Sequence, residues 1–375
     1  MAFLTTEYPP MPSGGIGTGV RTLARALVAK GHKVTVVGWG REAQFEDEGV
    51  RVRFLPETRI PRAGWLLNRR AVASFLNGLV RDEALDVVEA HDWVGPSAGL
   101  NLDCPLVVRC HGSATYFAYL LGEKVRPSVR LAEQSALRGA HDIAAVSRFT
   151  AHLTGRLFRL KKEIGVIPNG VDTSRFRPAG RDETEANTIL YFGTLVRKKG
   201  VLDLCSAFSL LAEQHPDVRL RLIGRDAADL RTGSPSTWAL CRRELTPSAA
   251  DRVEYLGSVP YDEIQCHVRK AALCVFPSHA EALPFSWLEA MACGKAVIAY
   301  DTGWAREIIQ PDVDGVLVGR GEVEMLSRAI GSLLVAPERA LELGVRARQR
   351  VESTFSTSRM VESSVRWYEQ VVTRG

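Results

Sequence analysis

Two glutamates, Glu281 and Glu289, frame the segment EALPFSWLE and could act together in one site. Pro284 suits the first turn of a helix, so the spacing predicts a helix from about Pro284 to Cys293, with Gly294 as its stop. The apolar run AALCVFP before it predicts a strand, which places Glu281 at the strand's carboxyl end, where parallel sheets bind ligands. Carboxylates beside a helix N-terminus suit a molecule with hydroxyls at both ends and phosphate between. On spacing alone, two solvated surface glutamates remain the more common arrangement.

A second candidate is the glycine segment SGGIGTGV (13–20), which follows a short apolar run and precedes a helical pattern. The glycines at Gly14, Gly15 and Gly17 could bring backbone N–H groups and a helix N-terminus close to an anion. The segment matches neither G-x-G-x-x-G nor the P-loop, which argues against an NAD-linked oxidoreductase and against an NTPase. A flexible loop without a ligand is the alternative interpretation.

Composition limits the classes of protein that this chain can represent. The 375 residues are 46% hydrophobic and 24% charged, which predicts a globular protein of about two domains. The net charge of +5 is too small for a dedicated nucleic-acid binder, so we expect no nucleic-acid partner. Seven cysteines without a C-x-x-C spacing predict reduced thiols and a cytoplasmic location. The start of the chain shows no signal peptide, and no apolar run approaches the length of a membrane span.

Short β-branched runs alternate with amphipathic segments along the chain, which predicts an α/β protein with parallel sheets. The Pro-, Gly- and charge-rich stretch 168–187 breaks this alternation and is interpreted as a linker. Apolar spacing near the C-terminus predicts a final helix. Only about four residues precede the first turn signals, so the opening strand is expected to be short.

A basic amphipathic stretch covers residues 59–81. It combines apolar residues such as Trp65 and Leu66 with five arginines: Arg59, Arg62, Arg69, Arg70 and Arg81. Such a stretch can lie on anionic lipid, which would give peripheral contact with the inner face of the membrane. A surface helix that buries its apolar side in the core is the alternative, and the pattern favours it.

Several motifs in a fixed order resemble those of the retaining family 4 glycosyltransferases (glycosyl transferases group 1). They are SGGIGTGV, the AVS of 145–147, VIPNGVDTSRF, YFGTLVRKKG and the E-x7-E segment with its flanks, followed by DGVLV. The resemblance implies a GT-B fold, in which two Rossmann-like domains face each other across a cleft. It implies an acceptor-side domain over 1–168 and a donor domain over 169–357, with a helix over about 358–375 returning to the first. It also implies a hexosyltransferase that moves a sugar from a nucleotide-diphosphate-sugar donor to the hydroxyl of a glycan, lipid-linked or small-molecule acceptor.

The resemblance also implies roles for particular residues. Glu289 would bind the ribose hydroxyls of the donor, and Glu281 would hold hydroxyls of the donor sugar. Backbone N–H groups at Leu283 and Phe285 would help to hold sugar or phosphate. Further implied roles are neutralisation of the diphosphate by Lys199, contact with the donor sugar by His111, and approach to the diphosphate or acceptor by the loop at Gly14, Gly15 and Gly17.

One departure from the family pattern concerns the phosphate contact. Many members carry Gly-Arg-Leu before the Lys-Gly element, whereas this chain reads Gly193-Thr194-Leu195. Arg197 and Lys198 are the two candidates to supply the missing charge. A non-catalytic sugar-nucleotide-binding protein on the same scaffold is therefore the alternative function.

No metal or other cofactor is expected, because the D-x-D at Asp312 and Asp314 fits a turn. His91 and His141 fit structural roles, and Asp92 is a candidate for the acceptor side.

Overall fold

Each half of the chain is built on its own, largely parallel β-sheet in the computed structural model of the protein. The structure describes residues 1–11, 13–61, 63–178, 180 and 183–374. Unit 1 comprises Met1–Gly170 and Thr357–Gly375, and unit 2 comprises Val171–Ser356. The sequence places the boundary between 168 and 169.

The sheet of unit 1 has eight strands in the order β3-β4-β2-β1-β5-β6-β7-β8. The strands are β1 (Ala2–Leu4), β2 (Thr35–Gly40), β3 (Ala43–Asp47), β4 (Val50–Pro56), β5 (Val88–His91), β6 (Leu106–Cys110), β7 (Asp142–Ala145) and β8 (Gly165–Val166). The first strand is short, as expected, yet it pairs with β2 on one side and β5 on the other.

The sheet of unit 1 has one antiparallel pair, at an edge, where β3 pairs with β4. The alternating residues of β3 are at most half-buried, so the strand lacks the apolar run from which the other strands were predicted. Glu48 and Gly49, both with positive φ, form the turn between the two strands.

The helices of unit 1 are amphipathic, and their apolar sides cover the sheet. They are α1 (Gly15–Ala29), α2 (Gly64–Glu83), α3 (Ala114–Leu121), α4 (Pro127–Gly139) and α5 (Arg148–Phe158). In α1 the buried residues include Val20, Leu23 and Leu27, which follow the spacing of one helix face.

The sheet of unit 2 has six strands in the order β11-β10-β9-β12-β13-β14, and all its pairings are parallel. The strands are β9 (Glu185–Phe192), β10 (Arg219–Ile223), β11 (Val253–Tyr255), β12 (Ala271–Phe276), β13 (Ala296–Asp301) and β14 (Val316–Gly319). The first of them begins inside the stretch predicted as linker. Its helices are α6 (Val201–Gln214), α7 (Thr237–Glu244), α8 (Pro247–Ala250), α9 (Tyr261–Lys270), α10 (Phe285–Ala292), α11 (Ala305–Ile308), α12 (Val323–Leu334) and α13 (Pro337–Thr354).

The last helix, α14 (Thr357–Val372), packs on unit 1 around a buried ion pair. The Arg109 guanidinium donates to both carboxylate oxygens of Glu89 at 2.9 and 3.0 Å. From α14, the Tyr368 hydroxyl donates to Glu89 at 2.6 Å, and the Ser364 hydroxyl accepts from Arg109 at 2.9 Å. A buried ion pair is retained only when its remaining polar atoms are satisfied, so these contacts tie the helix to the centre of the sheet.

Candidate functional site

The candidate site of unit 2 lies at the carboxyl edge of its sheet. The apolar residues of β12 are almost completely buried, and the strand ends at Phe276 before Pro277. Pro284 then precedes the first residue of α10, and Cys293 follows its last, which confirms the predicted helix. Glu281 therefore stands in the loop at the strand end, and Glu289 stands one turn inside the helix.

Lys199 and Glu281 form an ion pair, with 3.0 Å between Lys199 Nζ and Glu281 Oε1. Their side chains are 22% and 11% exposed, so the pair is largely shielded from water but still reachable. Lys199 ends a 3-10 turn, Arg197–Lys199, which begins five residues after the last residue of β9. The structure thus brings together a cation and a carboxylate that are distant along the chain.

Gly200 explains how the lysine turn comes so close to the loop of Glu281. Its φ is +69°, and a Cβ at this position would lie 1.8 Å from the carbonyl oxygen of Pro277. Only glycine combines that backbone conformation with so close a contact. The approach is reinforced by His279, whose backbone N–H donates to the carbonyl of Lys198 at 2.8 Å.

Glu289 is buried, and its carboxylate accepts a hydrogen bond of 2.6 Å from the Tyr261 hydroxyl. Burial raises the pKa of Glu289 to about 7, although Tyr261 and the positive charges of Arg175 and Lys199 act in the opposite direction. Lys199 therefore interacts electrostatically with Glu289 as well as with Glu281. The Arg175 guanidinium lies over the Tyr261 ring at 4.3 Å from its centroid.

A polar network behind the loop was missed from the sequence. His279 Nε2 lies 3.2 Å from Asp203 Oδ2, which also accepts from the Tyr300 hydroxyl at 2.9 Å. On its other side, His279 Nδ1 accepts from Arg320 at 3.2 Å. These residues come from four separate elements, and no spacing in the sequence links them.

The remaining predicted residues of unit 2 differ in their surroundings. Leu283 is buried immediately before Pro284, and Phe285 begins α10, where backbone N–H groups have no intrahelical acceptor. Arg197 is already paired, because its guanidinium donates to both oxygens of buried Asp229 at 2.9 and 2.8 Å. This pairing lowers the pKa of Asp229 well below its usual range. The charge of Arg197, one of the two candidates to replace the family arginine at Thr194, is therefore neutralised within the protein.

The D-x-D sequence forms a turn, as expected. Asp314 accepts from the backbone N–H of Gln310 at 2.7 Å and lies 3.6 Å from Arg350.

The glycine segment of unit 1 begins helix α1, and a carboxylate of the chain itself already lies at this N-terminus. The backbone N–H of Gly14 donates to the carboxylate of Glu7, and burial raises the pKa of that carboxyl group. At Gly17 a Cβ would lie 2.7 Å from Ser13 Cβ and 3.1 Å from the Glu7 carbonyl oxygen, whereas at Gly15 it would meet nothing within 4 Å. Gly17 is thus required for the packing of the loop. The contact of the Glu7 carboxylate with the loop was not predicted from the sequence.

His111 directly follows β6, at the carboxyl edge of the sheet in unit 1. Its backbone N–H donates to Asp92 at 2.8 Å, and its side chain is half-buried. Burial, with Arg109 and His91, lowers the pKa of His111 to about 3, so the imidazole is neutral at pH 7. Asp92 is fully buried and holds the backbone of His111, and its other oxygen has no hydrogen-bond partner among the described residues. Its place on the acceptor side stays a prediction.

The two histidines assigned structural roles lie in the body of unit 1. His141 accepts from the backbone N–H of Leu106 at 3.0 Å. His91 is buried, and burial lowers its pKa to about 4.

The basic stretch 59–81 forms most of α2. Val72 and Leu76 are buried in the core, while Trp65 and Leu66 are exposed. The arginines differ in their surroundings: Arg69 is buried, Arg70 is exposed, Arg59 and Arg81 lie near Glu57 and Asp103, and Arg62 lies outside the described residues.

Two family models together match most of the chain. Glycosyltransferase Family 4 matches residues 13–175, and Glycosyl transferases group 1 matches residues 172–350. The chain belongs to the group 1 and family 4 glycosyltransferases. It is therefore a transferase enzyme, and the predicted family and enzyme class are confirmed.

Several named proteins are similar to this glycosyltransferase over almost its whole length. The GDP-mannose-dependent alpha-(1-6)-phosphatidylinositol monomannoside mannosyltransferase of Mycolicibacterium smegmatis is 27% identical, over 93% of this chain and 92% of the relative. Sucrose-phosphate synthase from Thermosynechococcus elongatus superposes with a TM-score of 0.82 at 20% identity, over 100% of this chain and 99% of the other. Anabaena HepE in complex with UDP-glucose gives a TM-score of 0.78 at 18% identity, over 98% and 99%. These likenesses confirm the predicted GT-B fold.

Two observations concern membranes and metals. In the described part of the glycosyltransferase, every helix is too short or too polar to cross a bilayer. Within those same residues, no group of three or more His, Cys, Asp or Glu side chains could hold a metal ion. All seven cysteines are free thiols.

The role of Gly200 leads to a prediction about stability. We expect Gly200→Ala to lower the melting temperature clearly more than Gly257→Ala. Both glycines have similar positive φ values, +69° and +67°, and an alanine there costs about 1–2 kcal/mol. Only at Gly200 would the new Cβ also collide with backbone, because Gly257 has nothing within 4 Å. Thermal unfolding of both variants checks this, and equal losses would show that the close contact at Pro277 is unimportant.

Proposed function

We propose that this glycosyltransferase is a retaining enzyme that transfers a sugar from a nucleotide-diphosphate-sugar donor to an acceptor hydroxyl. The observation that carries the proposal is the pairing of Lys199 with Glu281 at 3.0 Å, together with the buried carboxyl group of Glu289, whose pKa the charge of Lys199 also affects. Such an arrangement offers carboxylates for hydroxyl groups and a cation for phosphate at the edge where parallel sheets bind ligands.

Each residue then has a defined part in donor binding. Glu289 accepts hydrogen bonds from the ribose hydroxyls, and Glu281 accepts from hydroxyls of the donor sugar. The backbone at Leu283 and Phe285 and the positive end of α10 assist in holding sugar or phosphate. When the donor binds, Lys199 gives up part of its contact with Glu281 and contacts the diphosphate instead.

The relatives support a donor of this class. The mannosyltransferase is named for its dependence on GDP-mannose, and HepE was crystallised with UDP-glucose. Both are sugars linked to a nucleoside diphosphate, although they differ in base and sugar.

The chemistry follows from the charge that develops during the reaction. The bond between the anomeric carbon and the diphosphate breaks, its electron pair goes to the phosphate oxygen, and negative charge grows there. A positioned cation stabilises that charge. Lys199 takes this part, and the charge of Arg197 is already balanced by Asp229. The reaction is proposed to proceed without a metal ion.

Retention of configuration is proposed to arise by attack of the acceptor oxygen on the same face from which the diphosphate leaves. The acceptor proton then passes to the leaving phosphate. A covalent route needs a carboxylate nucleophile, whereas Glu281 is ion-paired with Lys199 and Glu289 is assigned to the ribose. A glycosyl-enzyme adduct in a mass spectrum of enzyme with donor would contradict this route.

The two units have separate parts in the proposal. Unit 2 binds the donor, and unit 1 binds the acceptor. In unit 1, the neutral imidazole of His111 contributes to the rate of sugar transfer. The loop at Gly14, Gly15 and Gly17 contributes to substrate binding. A cytoplasmic location is part of this proposal, and peripheral contact of residues 59–81 with the membrane stays a prediction.

Substitutions separate donor binding from turnover. We expect Glu289→Ala to weaken binding of GDP-mannose or UDP-glucose by about tenfold or more, since a hydrogen bond to a charged group contributes about 1.5–3 kcal/mol. Lys199→Ala and His111→Ala are expected mainly to lower kcat. Calorimetric titration and a transfer assay measure the two effects. The exposed residues Glu263 and Lys270 in α9 supply controls, Glu263→Ala and Lys270→Ala. Kinetics like those of the controls in all three variants would overturn the assignment.

The raised pKa of Glu289 predicts a pH dependence of donor binding. With a pKa of about 7, the carboxyl group is ionised above pH 7 and protonated below it. Because the ionised form accepts both ribose hydroxyls better, we expect the affinity for the nucleotide to fall by up to about tenfold per pH unit below 7. Calorimetric titration from pH 6 to 8.5 measures this change. Glu289→Gln should be nearly insensitive to pH over that range, and a variant with the wild-type profile would assign the titration to another group.

A further inference from the structure

Unit 1 contains a cavity that none of the assigned residues explains. Its volume is about 510 Å³, within the usual range for small-molecule sites. Its lining includes three tryptophans, two charged residues and a threonine: Trp39, Trp65, Trp93, Glu57, Arg59 and Thr6. Thr6, Trp39, Glu57 and Trp93 lie at or just beyond the ends of β1, β2, β4 and β5. The cavity therefore opens at the carboxyl edge of the sheet, where parallel sheets bind ligands.

We propose that this cavity binds a sugar ring of the acceptor, stacked on tryptophan and hydrogen-bonded through its hydroxyls to Glu57. The inference rests on the proposed function, because it names the chemical class of the acceptor: a saccharide rather than an aliphatic alcohol or a lipid without sugar.

The tryptophans are unusual in their exposure. Three of the seven tryptophans in the chain line this one cavity. Trp65 is 57% exposed and Trp93 is 40% exposed, whereas Trp287 and Trp304 in unit 2 are 0% and 1% exposed. An indole ring has a large apolar face with negative charge density, which attracts the C–H groups of a sugar ring. The exposed rings fit a ligand of that shape.

Buried polar groups hold the walls of the cavity in place. The Arg69 guanidinium lies 5.9 Å from the centroid of Trp39 and 5.4 Å from that of Trp65, and it donates to the backbone carbonyls of Trp65 and Gly95 at 3.1 and 2.7 Å. Trp93 makes an edge contact with Phe117, with 5.9 Å between the ring centroids. These contacts fix the orientation of the rings, which reduces the entropy lost on binding.

The polar wall is fixed in the same way. Asn68 is buried, and its side-chain amide accepts from the backbone N–H of Thr58 at 2.7 Å and donates to its carbonyl at 3.3 Å. This clamp holds the segment with Glu57 and Arg59, whose side chains pair at 2.7 Å and remain accessible. A carboxylate and a guanidinium beside aromatic rings match the hydroxyl edge and the apolar face of a sugar. An alkyl chain would offer neither charged group a hydrogen-bond partner beyond the contact that the two make with each other.

The experiment measures saccharide binding to the full-length enzyme. Maltose and methyl α-mannoside are titrated by saturation-transfer NMR, with octanol as an apolar probe. We expect transfer to the ring C–H protons of the sugars, and at least about tenfold weaker binding in Trp65→Ala and Trp93→Ala. Trp65→Phe keeps a ring and is expected to keep most of the affinity. Leu66→Ala is the matched control, since Leu66 is exposed, adjacent in α2 and outside the cavity lining.

Two further measurements separate the possible outcomes. Binding of GDP-mannose and UDP-glucose tests the donor assignment alone. If the wild-type enzyme binds neither nucleotide sugar, the proposed function is refuted. The saccharide titration then still tests whether the cavity binds a sugar. Binding to phosphatidylglycerol vesicles tests Trp65 as a membrane anchor. Unchanged saccharide affinity in Trp65→Ala and Trp93→Ala, or loss of vesicle binding alone in Trp65→Ala, would overturn the acceptor-site proposal. Circular dichroism verifies that each variant is folded.

Discussion

The ion pair between Lys199 and Glu281 is the contact on which the proposed donor site depends. It exists because Gly200, in a left-handed conformation, lets the lysine turn approach the backbone at Pro277 more closely than any side chain would permit. Both charged groups are largely shielded from water, so each needs a partner of opposite charge. A phosphate and a sugar hydroxyl can replace that mutual contact, which makes the pair a fitting receptor for a molecule that carries both.

Because the strands are parallel, the remaining residues lie at the carboxyl edge of their sheet. In unit 2 the ends of β9 and β12 position the lysine turn and the loop of Glu281, and α10 carries Glu289. In unit 1 the same rule places His111 after β6 and the tryptophan-lined cavity beyond four neighbouring strands. Burial raises the pKa of Glu289 and lowers the pKa of His111, so one cause shifts the two groups in opposite directions. Burial favours the neutral form, which is the protonated carboxyl group and the deprotonated imidazole.

Sequence reasoning reached the features that depend on local spacing. The helix after Pro284, the short first strand and the alternation of strands and helices follow from residues close together in the chain, and the ordered motifs identified the family. The spacing of Glu281 and Glu289 by itself favoured solvated side chains, and only the tertiary structure shows both to be buried. Two of the contacts that were missed join distant segments: Tyr261 with Glu289, and Asp229 with Arg197. Their residue types carry no pattern that reveals a partner elsewhere in the chain.

The most direct test of the account is a crystal structure of the enzyme with bound GDP-mannose or UDP-glucose. The account predicts ribose hydroxyls within hydrogen-bond distance of the Glu289 carboxylate, and a phosphate oxygen within such a distance of Lys199 Nζ. A nucleotide bound away from these side chains, with Lys199 Nζ still 3.0 Å from Glu281 Oε1 and no phosphate beside it, would contradict it.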